Sequence, residues 1–382
     1  MDIDSLKQDF RSFFGTQPQI FRAPGRVNLI GEHTDYNEGF VMPAAIDFYT
    51  WVASAARSDS TVNIRSQTFG ELVSVELSNH LTARHTWSDY VVGVLDEIRS
   101  AGLPAGGADI LIQGDVPMGA GLSSSAAIEV ATALAVLTQN HVQVDRTQLA
   151  LLCQRAENQF VGMRCGIMDQ FISCHGRRDH ALMLDCRSLE FKLLPLSPNE
   201  QMVICNTMVK HQHASGEYNQ RRAACEEGVR ILKEHLPRIR SLRDVSMEEL
   251  EGNRDKLPAV VYRRCRHVVT ENDRVQRAAS MLEQNNLKEF GQLMAQSHAS
   301  LRDDYEVSCR ELDIMVDIAV RQRGLCGARM TGGGFGGCTI NVVEASQAEI
   351  FRQEVGTAYE RATGLKPQVY ISSAADGMAQ VA

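Results

Sequence analysis

Apolar residues recur at helical spacing through Leu6, Phe10, Phe13 and Phe14, between Ser5 and Gly15, and predict a leading helix. A strand period then takes over. Val27–Ile30 and Phe40–Ile46 read as short strands bounded by glycines; Tyr49–Ala56, Thr61–Ser66 and Glu71–Leu77 are β-branched or alternating runs parted by polar turns. Together they predict a largely antiparallel sheet. Ser88 opens a helix that Gly102 closes, Asp109–Ile112 reads as a strand, and Ala126–Thr138 and Gln148–Phe160 read as two apolar helices buried against the sheet.

Beyond about Gly176 the pattern restarts, with strands at Ala181–Leu184 and Met202–Cys205. Long helical stretches follow at Glu217–Glu234, Ala259–Gln284, Leu287–Ser300 and Arg310–Arg323. Strands return at Leu325–Met330, Cys338–Val343 and Gln368–Ile371, around a last helix that Gly364 ends. Helices packed on one face of a mostly antiparallel sheet make an α+β protein. We divide the chain into an N-terminal domain, residues 1–175, and a C-terminal α+β domain, residues 176–382. The sequence has no internal repeat and no Pro/Ser-rich linker, so the halves are expected to share a tight interface with the ligand cleft between them.

The chain has 382 residues, too many for one typical core. Its 44% hydrophobic and 23% charged residues are those of an ordinary globular protein. A net charge of -8 argues against a nucleic-acid or anionic-membrane surface, while leaving room for ATP at a local positive site. The ten cysteines are scattered without a C-x-x-C pair, and read as small core residues in a reducing cytosol, not as a zinc site. The acidic start, Met1-Asp2-Ile3-Asp4-Ser5, has no apolar leader region, and no window reaches the roughly 18 apolar residues of a membrane span. A cytoplasmic protein with no membrane or nucleic-acid partner is expected.

Chemistry concentrates in three segments. Pro24–Asn37 places Glu32, His33, Thr34 and Asp35 on the loop between two predicted strands, beside Arg26. Carboxylates there can accept bonds from vicinal hydroxyls, with the imidazole adding one more; a merely solvated loop is the competing reading. The run Gly119-Ala120-Gly121-Leu122-Ser123-Ser124-Ser125 joins a strand to a helix. It has neither the lysine of a Walker A loop nor the third glycine of a dinucleotide fingerprint. It suits a triphosphate at a helix N-terminus, with a serine hydroxyl available to Mg²⁺, or simply a well-capped helix. In Met330–Cys338, five glycines in six positions exceed what a turn requires, and suggest backbone lying under a ligand or against the first glycine loop.

Gly25–Gly39, Gly119–Ala127 and Thr331–Gly337 resemble, in order and spacing, the three motifs of the GHMP kinase superfamily. Within it the chain resembles the galactokinases over essentially its whole length, adding Cys165–Gln170, Gly216–Arg222 and Val307–Asp313. The resemblance implies a two-domain GHMP kinase fold, with a mixed-sheet N-terminal domain and a ferredoxin-like C-terminal domain carrying extra helices. It implies ATP-dependent phosphorylation of the anomeric hydroxyl of D-galactose by a monomer that uses Mg²⁺. By the same resemblance, Asp169 is the catalytic carboxylate, as base or orienting anion, and Arg26 neutralises charge beside it. Glu32, His33, Thr34, Asp35, Gly166 and Tyr218 map onto the sugar site, Gly119–Ser125 onto the ATP phosphate loop, and Ser125 with Glu157 onto the Mg²⁺ ligands. Phosphorylation of N-acetylgalactosamine or arabinose is the near alternative. A non-catalytic galactose sensor is the distant one, and such relatives lose parts of the phosphate loop, which is complete here. Two departures mark the segment Lys210–Tyr218: His213 replaces the usual leucine, and Gly216 a common serine. His211 and His213, with no third ligand nearby, read as a solvated pair.

Overall fold

Thr61–Ser66 alternates buried and half-buried positions, as a strand with one face on a core must, whereas residues 126–137 are buried nearly all round. These two patterns build the N-terminal half. The structure, a computed structural model, describes residues 2–143, 145–209 and 214–381. In chain order α1 (Ile3–Phe14) precedes β1 (Gln19–Asn28), β2 (Phe40–Val41), β3 (Pro43–Ala56), β4 (Thr61–Ser66) and β5 (Leu72–Glu76). Then come α2 (Asp89–Ser100), β6 (Ala108–Gly114), α3 (Ser124–Gln139), α4 (Arg146–Arg155) and α5 (Met168–His175). The second half holds β7 (His180–Asp185), β8 (Phe191–Pro195), β9 (Glu200–Asn206), α6 (Ala214–Lys233), α7 (Met247–Gly252), α8 (Ala259–Glu283), α9 (Leu287–Asp303) and α10 (Arg310–Ala319). It closes with β10 (Leu325–Thr331), β11 (Cys338–Glu344), α11 (Ala348–Thr363), β12 (Gln368–Ser372) and β13 (Ala379–Gln380).

Among the described residues the strands form three sheets. The six-stranded one runs β13-β1-β3-β6-β4-β5 and is antiparallel except for β4 against β6. The four-stranded one runs β10-β11-β9-β12, with helices between β9 and β10 and between β11 and β12. That order and connection is the ferredoxin-like arrangement, with extra helices inserted in its first crossover. A small sheet, β2-β7-β8, ties the loop after β1 to the second half.

Several elements differ from the sequence expectation. The expected break between Phe40–Ile46 and Tyr49–Ala56 falls instead at Met42, after the two-residue β2. Residues 43–56 are one strand that pairs with β1 from Pro43 to Ser54, passing through exposed Asp47 without a turn. β1 begins eight residues earlier than Val27 and shifts register between Pro24 and Arg26, where proline has no N–H to give the ladder. The helix expected over Gln148–Phe160 gives way after Arg155 to a wider π turn, Ala156–Val161, which Gly162 ends at φ 88°. Arg310–Arg323 stops at Ala319. Short α5, α7, β8 and β13 carry too few residues for a periodic signal.

One core fills the space between the large sheet and α2 to α5, centred on Ile64, Val94, Ile110, Val130 and Phe171. The opposite face receives α1 through Leu6 and Phe10, each worth about 1.5–3 kcal/mol when fully buried. A third cluster joins Val27, Leu29 and Leu122 to Ile204, Phe290 and Ile340, so the two halves meet through a continuous apolar seam. The functional loops lie at its edge.

Candidate active site

β1 delivers Arg26 from beneath the large sheet to Asp169, the second residue of α5. Arg26 Nε and Nη2 each donate to a different Asp169 oxygen at 2.7 Å, and Nη1 donates to the Gly121 carbonyl at 2.6 Å. This planar two-point grip leaves little freedom to either side chain. Burial tends to lower the Arg26 pKa, but Asp169, Glu32 and Asp35 outweigh it and hold the guanidinium above its ordinary value. The Ser123 hydroxyl also donates to Asp169. Ser123 precedes α3 in the left-handed region, at φ 58°, and caps no backbone group of that helix with its side chain, so its hydroxyl serves the carboxylate instead.

The loop Gly31–Gly39 forms one wall. Glu32 is buried, and its Oε1 accepts from Gly332 N at 2.7 Å, from Thr331 Oγ1 at 3.3 Å and from Arg329 Nη1 at 3.5 Å. Burial raises its pKa despite Arg329 and Arg26. His33 Nδ1 lies 2.8 Å from Tyr36 Oη and Nε2 lies 3.2 Å from the Gly333 carbonyl. A carbonyl can only accept, so Nε2 carries the proton and Nδ1 accepts from the tyrosine. Burial, followed by His267, lowers the His33 pKa to about 3, so the ring is neutral at physiological pH. In this arrangement both ring nitrogens are partnered within the protein. Asp35 begins a single 3₁₀ turn; burial, then Asp169, pushes its pKa up to about 6. At Gly166 a Cβ would stand 2.0 Å from Asp35 Oδ2, so only glycine lets the two segments meet.

The phosphate loop and the C-terminal glycine segment form the opposite walls. A Cβ on Gly332 would stand 2.9 Å from the Gly121 carbonyl, and one on Gly337 3.1 Å from the Ala120 carbonyl. The second glycine run thus packs backbone to backbone against the first. Between these walls lies a cavity of about 290 Å³. Arg26, Glu32, His33, Asp35, Gly119, Gly121 to Ser125, Glu157, Gly166, Asp169 and Tyr218 all line it. Two expected residues do not. Ala120 is buried behind the loop, and Thr34 turns its hydroxyl inward to the Gly31 and Phe40 carbonyls at 2.9 and 2.6 Å. His211 and His213 lie outside the described residues. Gly216 is exposed with open space where a side chain would stand, so the loss of serine there displaces nothing.

Lining residues that sequence reasoning missed include Met163, Cys165, Met168 and Phe335. Behind them Gln170 Nε2 donates to Glu157 Oε2 at 2.5 Å and to Glu129 Oε2 at 3.0 Å. Glu129 is the single charged residue of α3 and fully buried, a lone charge in an apolar helix that could have flagged it. Cys165 Sγ donates to Glu157 at 3.3 Å, and Ser125 also bonds this carboxyl. Burial, then Asp169, pushes the Glu157 pKa up to about 7. A cation beside Glu157 would favour its charged form. One hydroxyl and one carboxylate suit Mg²⁺, which takes few protein oxygens and completes its shell with phosphate and water. No cluster of three or more His, Cys, Asp or Glu able to hold a metal occurs among the described residues.

Residues 8–56 match the galactokinase galactose-binding signature, residues 89–177 the N-terminal domain of GHMP kinases, and residues 278–361 their C-terminal domain. A galactokinase of a Roseiflexus species is 45% identical over 382 residues, covering 100% of this chain and 98% of that protein. A galactokinase of Chloroflexus aurantiacus is also 45% identical, with the same coverage. The crystal structure of Lactococcus lactis galactokinase complexed with galactose superposes with a TM-score of 0.96 at 36% identity, over 99% of this chain and 100% of that one. Methanococcus jannaschii mevalonate kinase, at a TM-score of 0.64 and 18% identity over 94% and 99%, shares the fold.

Proposed function

The chain belongs to the galactokinase family of the GHMP kinase superfamily, and from that premise we propose how its cavity performs ATP-dependent phosphorylation of D-galactose at the anomeric hydroxyl. The observation that carries the reading is the bidentate Arg26–Asp169 pair, which faces a cavity walled on one side by Glu32, His33, Asp35 and Tyr218 and on the other by Gly119–Ser125. Sugar lies against the first wall and the ATP phosphates against the second. The acceptor hydroxyl then meets Asp169.

Phosphoryl transfer passes through a loose transition state, so positioning and charge neutralisation dominate. Asp169 orients the hydroxyl and takes its proton as the bond to phosphorus forms. Such general-base help is worth about 10²–10⁴ in rate, or roughly 3–5 kcal/mol. Arg26 offsets charge on the transferring group while holding the Asp169 carboxylate in one plane. Ser123 supports the same carboxylate from the phosphate loop, so sugar and nucleotide share a fixed point. Backbone N–H groups of Gly119–Ser125 and the N-terminus of α3 receive phosphate oxygens. Ser125 and Glu157 would hold Mg²⁺, which would supply charge neutralisation for the triphosphate.

We read the active site as the cleft between residues 1–175 and 176–382. Ten free cysteines support a reducing, cytoplasmic setting. Among the described residues no helix is long and apolar enough to cross a membrane. The test is Asp169→Asn beside Arg26→Ala, with phosphorus NMR identifying the product from galactose, N-acetylgalactosamine and arabinose. Asp169→Asn is expected to lose most turnover while retaining galactose binding, and Arg26→Ala to lower kcat more than it raises KM. Near-parental turnover of Asp169→Asn would falsify the assignment.

A further inference from the structure

The loop Gly31–Gly39 has left-handed backbone at Gly31, His33 and Glu38, at φ 98°, 62° and 56°, and such a path persists only where its surroundings impose it. Its surroundings are a helix more than two hundred residues away. We infer that α8 is the positioning element of the sugar loop, with His267, Glu271 and Asn272 as the side chains that set its backbone.

These three residues lie on one face of α8, at spacings of four and five. Each reaches a main-chain atom of the loop or of the residue that follows it. Glu271 Oε1 accepts from Gly31 N at 2.9 Å, His267 Nε2 lies 3.0 Å from the Glu32 carbonyl, and Asn272 Oδ1 accepts from Phe40 N at 3.0 Å. The helix thus grips the loop at both ends while His33 and Asp35 between them face the cavity. None of the three lines that cavity, so they act through the loop.

The grips are themselves held. Glu271 accepts from Ser297 Oγ at 2.6 Å through Oε1 and from Arg274 Nε at 2.6 Å through Oε2. Burial acts to raise its pKa, but the Arg274 and Arg329 guanidinium groups and the Ser297 hydrogen bond bring it down to about 2, so the acceptor stays charged. His267 Nε2 faces a carbonyl and must carry the proton, which leaves Nδ1 unprotonated, 2.9 Å from Ser300 Oγ. The fit at Asn272 is tight: a Cβ on Gly39 would stand 2.3 Å from Asn272 Oδ1. Asn272 Nδ2 has no partner among the described residues, so Asn272 contributes an acceptor and nothing else. A residue kept for packing alone would not be matched to the loop backbone in this way.

The inference rests on the reading of Glu32, His33 and Asp35 as sugar contacts. The experiment is galactose and ATP steady-state kinetics, with glucose as the competing epimer, on Asn272→Ala, Asn272→Asp, Gly39→Ala, His267→Leu and Asp35→Asn, each beside its melting temperature. Loss of the Phe40 anchor in Asn272→Ala should raise the galactose KM about three- to twentyfold, with kcat within about twofold and the ATP KM unchanged. Asn272→Asp keeps the acceptor oxygen and should restore most of the loss. Gly39→Ala, which pushes on the same contact from the loop side, and His267→Leu should reproduce the KM effect, and either one stands in if Asn272→Ala does not fold. Galactose KM values within twofold of the parent in the folded variants overturn the inference, as does an equal fall of sugar and nucleotide parameters, which would mark a merely structural role. If Asp35→Asn raises the galactose KM and the α8 variants do not, the positioning role alone fails. An unchanged KM in Asp35→Asn sinks the underlying sugar-loop reading instead.

Discussion

Gly166→Ala tests the site at its narrowest point. A methyl there would stand 2.0 Å from Asp35 Oδ2, 2.1 Å from Cγ and 2.8 Å from Cβ, where ordinary contact begins at 3.4 Å. The carboxylate must therefore swing away by more than 1 Å. Rotation about χ1 clears Oδ2 and Cγ, while Cβ is fixed by the backbone of the 3₁₀ turn, so the two segments must also part by a few tenths of an ångström, a shift small enough for the protein to fold. The expected loss of stability is about 1–2 kcal/mol, the ordinary cost of overpacking. Displacement removes a charged hydrogen-bond partner from the sugar, worth about 1.5–3 kcal/mol, which corresponds to a roughly 10- to 150-fold rise in the galactose KM. The ATP KM should hold, since Gly166 and Asp35 lie across the cavity from Gly119–Ser125. The assay is steady-state kinetics against each substrate together with thermal melting. A folded Gly166→Ala enzyme with the parental galactose KM would refute the reasoning, for it would mean that Asp35 does not hold the sugar from its present position.

Asp35→Asn should also change stability with pH in a defined direction. Its folded pKa, pushed up to about 6 from 3.8, means the buried carboxylate opposes folding at neutral pH, and the native state favours the proton. The relative stability of the parent is full below about pH 4 and lost as pH rises through 6, so the ligand-free variant should melt higher than the parent at pH 7.5, by an amount on the order of 3 kcal/mol, and equal it near pH 4. Equal melting curves at pH 7.5 would remove the buried-charge argument. Ser125→Ala and Glu157→Gln should each raise the Mg²⁺ concentration needed for half-maximal rate and for calorimetric ATP binding, leaving galactose affinity alone; superimposable magnesium titrations would end their assignment as ligands. His33→Ala, which removes the ring that packs on Tyr218 and Tyr305, should weaken galactose binding and narrow the preference over glucose, read as kcat/KM for the two epimers.

Local chemistry wrote much of this molecule in readable form. The period of residues 259–283 marks α8 almost to its ends, the alternation of Thr61–Ser66 marks β4, and Gly364 stops α11 in the left-handed conformation, at φ 74°, that glycine favours. The polar run Glu32–Asp35 and the glycine-serine loop were legible for the same reason, since each concentrates its chemistry within a few residues. What the sequence could not carry was pairing at a distance. Nothing local joins Arg26 to Asp169, 143 positions apart, or brings β13 back to β1. Nor does a sequence period tell β4 to lie parallel to β6, or keep residues 43–56 in one strand across an exposed aspartate, because both follow from where the neighbouring strands end. Glu129 and Gln170 became meaningful only when folding placed them behind Glu157. Thr34 shows the converse: its place in the motif pointed to the sugar, yet the turn it occupies presents two carbonyls that its hydroxyl satisfies first. Short-range propensity and spacing determined the elements and the residue types of the site. Which side chains meet, and which turn inward, was decided by the closing of the two halves around the loops, where burial favours arrangements that give most polar groups a partner within reach.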